Sequence, residues 1–164
     1  MNLQMRIIEI KIEGENMNDW IDDLINKAKG KQNEELRRDE IRLHKAKVIA
    51  ALFPAFWGEV LKQIDNDCSR LKKECPDFNY HIHKDSTPLG GIKLTREAAP
   101  PFRQISVEPI IDGQCINVSG GHIREVIYIT LKGDNILSFT WGKTTYTNPQ
   151  ELSKALIEYC ASGE

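Results

Sequence analysis

The sequence predicts an α+β fold: N-terminal helices packed on a largely antiparallel sheet of about six strands, with a short C-terminal helix. Three observations carry this expectation. Apolar residues recur every three or four positions as far as Leu71, then at every second position from Phe78 onward. Clusters of turn residues separate the alternating runs at intervals too short for crossover helices. A capped, helically spaced segment returns at Asn148.

The first element is a strand. Ile8, Ile10 and Ile12 alternate with Glu9, Lys11 and Glu13, the period of a half-buried strand, and Gly14 ends it. Met17 opens a natural helix start, so either Met1 or Met17 can begin the folded chain. Residues 1–16 are then a peripheral strand or a poorly ordered extension of one domain spanning 1–164.

Asn18 is placed to cap a helix, with Asp19, Asp22 and Asp23 in the first turns where the dipole favours negative charge. Trp20, Ile21, Leu24, Ile25 and Ala28 follow at helical spacing, and Gly30 is expected to stop this helix. A second helix from about Asn33 carries a stripe of Ile41, Val48, Leu52, Phe56, Val60, Ile64, Cys68 and Leu71. Pro54 cannot donate to the carbonyl of Ala50, which predicts a break after Leu52. Phe53 and Trp57 then lie off the main stripe; left exposed, they would mark a ligand or partner contact surface.

Strands are expected over Phe78–His83, Ile92–Arg96, Gln104–Ile110, Gln114–Val118, Ile123–Leu131 and Ile136–Trp141. Between them lie the turn-rich runs Ser86–Gly91, Ala98–Pro101, Ser119–Gly121 and Lys132–Asn135, and Asp112-Gly113 reads as a two-residue hairpin turn. Asn148-Pro149-Gln150-Glu151 combines an N-cap, a proline at the first helical position and an acid in the first turn. Leu152, Leu156, Ile157 and Tyr159 line the apolar side of that helix.

The order of strand, helices, six strands and C-terminal helix resembles the helix-grip fold of the steroidogenic-regulatory and plant-allergen lipid carriers. In those carriers a curved sheet wraps a long terminal helix around a hydrophobic cavity. This chain departs from them in its much longer helical segment before the sheet and its shorter last helix.

Composition narrows the function classes. Acidic and basic residues balance in both halves, with a formal net charge of −2. Lys27, Lys29, Lys31, Arg37 and Arg38 interleave with Glu34, Glu35, Asp39 and Glu40. Glu34–Arg38 and Asp39–Arg42 have the spacing of helical surface pairs, so this is a solvated helix face and not a nucleic-acid footprint. No apolar run is long enough for a membrane span, and the start lacks the apolar centre of a secretion signal, which predicts a cytoplasmic protein. Cys68, Cys75, Cys115 and Cys160 fall in no zinc or redox spacing.

Residues able to carry chemistry are few. His81 and His83 sit two apart on a strand and face the same way, with Cys75 nearby; a metal-dependent hydrolase would centre on them. Two histidines alone make an incomplete ligand set, so no metal or other cofactor is implied. Gly90-Gly91 and Gly120-Gly121 lie between strands and lack the helix N-terminus that a phosphate loop needs. Ser119-Gly120-Gly121-His122 lacks the frame of a nucleophile elbow. The leading expectation is a non-enzymatic interaction or accessory domain that binds a protein partner or a second copy. A small-molecule carrier with an apolar pocket between sheet and helices is the alternative.

Overall fold

The computed structural model describes residues 17–77, 79–84, 90–97, 103–133 and 135–162. The expected strand at residues 6–13 lies outside them, as do Phe78 and most of the turn-rich runs at 86–91 and 98–101. The fold is α+β. Among the described residues, helix α1 (Met17–Glu74) precedes a sheet of seven strands, and helix α2 (Pro149–Ser162) follows it. The chain divides into two compact units, with the boundary inside α1 between Arg42 and Leu43.

In the first unit, every side chain from Trp20 to Arg42 is exposed. The helix there is sustained locally. Lys27, Ala28, Lys29, Leu36, Arg37 and Arg38 are strong helix formers, and the expected pairs Arg38–Glu34 and Arg42–Asp39 both form. Gly30 does not stop the helix. A glycine costs about 1 kcal/mol in a helix interior, which the good formers around it offset.

In the second unit, α1 also runs through Pro54 without a break. The missing hydrogen bond and ring clash cost about 3 kcal/mol. Ile49 and Phe53 before the proline and Trp57, Val60 and Ile64 after it are all buried. Each buried side chain of this size contributes roughly 1.5–3 kcal/mol, so keeping both sets on one face outweighs the proline. Pro54 itself is exposed. The buried face is also rotated from the expected stripe: Ile49, Phe53 and Trp57 lie at its centre, Leu52 and Phe56 flank it, and Ile41 is exposed.

The sheet is an antiparallel meander in chain order: β1 (Asn79–Lys84), β2 (Ile92–Glu97), β3 (Arg103–Ile110), β4 (Cys115–Gly120), β5 (Ile123–Lys132), β6 (Ile136–Trp141) and β7 (Thr144–Tyr146). Cross-strand partners align one face as Ile92–Val107–Val118 and Leu94–Ile105, continued by Ile116–Ile127 and Ile129–Phe139. All of these are buried, and they join Ile49–Cys68 of α1 and Leu152–Cys160 of α2 in one core. The other face shows Lys93, Gln104, Glu108, Arg124, Tyr128 and Thr130 to solvent. This is the one-sided burial common in antiparallel sheets.

Two turns differ from expectation. Ile110 pairs with Cys115, so the β3–β4 loop has four residues, not two. Gln114, not Gly113, takes the left-handed conformation (φ 49°). The Gln114 amide donates to the Ile111 carbonyl (2.9 Å), and the Gln114 carbonyl accepts from the Ile129 amide (2.8 Å), which ties the loop to β5. The seventh strand follows a two-residue turn at Gly142-Lys143, where Gly142 supplies a positive φ (59°). The run Thr144-Thr145-Tyr146 has the β-branched and aromatic composition of a strand, but its three residues are too few to show alternation.

The expected cap of α2 forms as read. The Asn148 side-chain oxygen accepts from the Gln150 amide (2.8 Å), and the Asn148 carbonyl accepts from Leu152 (3.2 Å).

Candidate functional site

Phe53 and Trp57 are core residues, exposed by 0% and 3%. Their rings stack at a centroid distance of 5.8 Å, and Phe53 also meets Phe139 of β6 at 6.4 Å. The Trp57 indole N–H donates to the Gly90 carbonyl at 2.9 Å, which satisfies its one polar atom and ties it to the residue two before β2. The exposure that would have made them a contact surface is absent, because four-residue steps from Ile49 put both at the centre of the buried face.

His81 and His83 lie on the polar face of β1, as their spacing requires. Their nearest cross-strand partners differ. His81 Nε2 is 3.3 Å from a Glu97 carboxylate oxygen of β2, whereas His83 is exposed opposite Lys93. Cys75 is exposed beyond the end of α1. Among the described residues, no three His, Cys, Asp or Glu side chains group as metal ligands. Ser119 and Gly120 end β4, and Gly121-His122 is the two-residue turn to β5, with Gly121 at φ 59° and His122 exposed.

Two other features emerge. The first belongs to the unit ending at Arg42. Trp20, Ile21, Leu24, Ile25, Leu36 and Ile41 expose between 42% and 57% of their surface. Ile21 and Ile25 are one turn apart, and Leu36 follows Ile25 after three turns on the same side. The sequence displayed this periodicity, but period alone cannot tell a face that meets its own sheet from one left open.

The second feature is a cavity of 330 Å³ at one end of the apolar sheet face, between α2 and the strands. Arg103, Ile105, Gly120, Ile123, Tyr159 and Cys160 contribute to its wall. Arg103 starts β3 and pairs directly with Arg96 of β2. The Arg96 guanidinium donates to the Ala161 carbonyl in the last turn of α2 (2.6 Å), a site the helix dipole makes favourable for a cation. The Arg103 Nη1 is enclosed without a hydrogen-bond partner among the described residues. Burial pushes the Cys160 thiol up to about 11, and the two arginines beside it offset this only in part. Burial, then the neighbouring Glu125 carboxylate, raises the Tyr159 phenol. No sequence pattern marks Arg103, because what sets it apart is that its Nη1 has no partner among the described residues.

No helix among the described residues is long and apolar enough to cross a membrane. The chain matches no protein-family model, no curated protein and no solved structure.

Proposed function

We propose that this chain is a non-enzymatic interaction module that associates with a second copy of itself through α1 residues Trp20–Arg42. The observation that carries the reading is the exposure of six large apolar side chains on a helix in which no described side chain from Trp20 to Arg42 is buried. Helices in proteins draw most of their stability from packing an apolar face. This segment relies instead on propensity and surface ion pairs, which contribute only a few tenths of a kcal/mol each. Covering Ile21, Ile25 and Leu36 would add roughly 1.5–3 kcal/mol for each one fully buried.

The charge pattern favours a second copy as the occupant. Asp22, Asp23, Glu34, Glu35, Asp39 and Glu40 are matched one for one by Lys27, Lys29, Lys31, Arg37, Arg38 and Arg42. Two copies therefore meet without net repulsion. The charged blocks alternate in sign from acidic at Asp22-Asp23 to basic at Arg42, so no long run of one sign faces an approaching copy.

Light scattering on the size-exclusion peak is the test. The expected mass is twice the chain's 18.7 kDa, and Ile25→Asp with Leu36→Asp is expected to return it to one chain mass with the sheet intact. A wild-type protein that stays monomeric up to hundreds of micromolar contradicts the proposal.

A further inference from the structure

The geometry points to the cavity beside Arg103 as a binding site for a small organic carboxylate, with the carboxylate on the Arg103 guanidinium and an apolar body against Ile105, Ile123 and the Tyr159 ring. This site lies in the unit that begins at Leu43 and does not depend on pairing between copies.

Three observations carry it. Among the described residues, no aspartate or glutamate lines the cavity, and none of them gives Arg103 a counter-ion there. Arg103 forms no ion pair among the described residues, and its enclosed Nη1 has no acceptor. A buried donor without a partner marks a place where an acceptor is missing. Arg103 also stands directly across from Arg96, a like-charged pair that disfavours the empty state. Arg96 already donates to the end of α2, so Arg103 is not needed there.

The cavity's shape selects the ligand. Gly120 brings backbone close to the wall: a Cβ there would lie 2.9 Å from both the Gln104 carbonyl and Ile105 Cγ2. The volume of 330 Å³ suits a small molecule. One guanidinium matches the two oxygens of a carboxylate in a bidentate pair. A phosphate dianion would call for more donors than this mostly apolar wall provides.

The test is a titration followed by backbone amide NMR shifts at constant ionic strength, with sodium benzoate, benzyl alcohol and sodium phosphate as probes. Saturable shifts with benzoate at Arg103, Gly121 and Cys160, absent with benzyl alcohol, are expected. Arg103→Gln is expected to weaken benzoate binding about tenfold or more, the loss of one charge-assisted pair. Because Arg103→Gln can disturb β3, Ile123→Glu serves as a second variant. Ile123 is 44% exposed, so a carboxylate there is tolerated and would compete for Arg103, again weakening benzoate. Equal shifts with benzyl alcohol, tighter binding of phosphate than of benzoate, no binding of benzoate, or unchanged affinity in both variants would each overturn the assignment.

Discussion

At the scale of single residues, burial decides chemistry. Cys68 and Cys160 are enclosed in the core, and burial pushes their thiols up to about 12 and about 11 from an ordinary value of 9.0. The folded state therefore holds both thiol protons at a pH where the unfolded chain has released them. Stability conferred by the neutral thiols is complete below pH 9 and falls as the pH rises from about 9 toward 11. Denaturant melts at successive pH values should show this decline, and Cys68→Ala with Cys160→Ala should flatten it. Under native conditions at pH 8, a thiol reagent should label exposed Cys75 first. Phe53 offers a second test. Its ring is fully buried against Trp57 and Phe139, so Phe53→Ala should destabilise by about 3–5 kcal/mol in chemical denaturation. Phe53 was legible as apolar from sequence, although the proline after it predicted a helix break at that point. Its place at the centre of the core was not, because the stripe's phase depends on which side of the helix meets the sheet.

At the scale of elements, α1 differs most from its sequence. Two breakers that would divide an isolated helix lie inside it, Gly30 in an exposed stretch and Pro54 on the solvent side of a buried one. Local rules price the breaker correctly but omit what the flanking residues gain by staying on one line. It follows that Pro54→Ala should raise stability by as much as about 3 kcal/mol. Gly58→Ala should add about 1 kcal/mol, since a Cβ at Gly58 meets nothing within 4 Å. Gly120→Ala should do the reverse, because its Cβ would press on the Gln104 carbonyl at 2.9 Å. Melting temperatures of the three variants check both signs. The strands were easier to read. Their two-residue period repeats the chemistry of the sheet's two faces, and only short β7 escaped it.

At the scale of the whole molecule, stability is expected to be uneven. The central strands β4, β5 and β6 are paired on both sides and carry Ile116, Val118, Ile127, Ile129, Leu137 and Phe139 into the core. The helix from Trp20 to Arg42 has only exposed side chains. Hydrogen–deuterium exchange should show the slowest amides in β4–β6 and the fastest helical amides between Trp20 and Arg42. Protection of that segment should rise with protein concentration if two copies pair there. Independence of concentration would count against the pairing while leaving the Arg103 cavity untouched.

The sequence by itself determined the class of the fold, the positions of six of the seven strands, the cap at Asn148 and the surface ion pairs of α1. Each of these depends on neighbours within a few positions along the chain, where period, capping and turn chemistry act. Tertiary structure alone decided that α1 continues past Pro54, that Phe53 and Trp57 are core, that His81 lies near Glu97 and that Arg103 has no counter-ion among the described residues. Those outcomes depend on which distant groups come together, and a local pattern fixes the face a residue belongs to without fixing what that face meets.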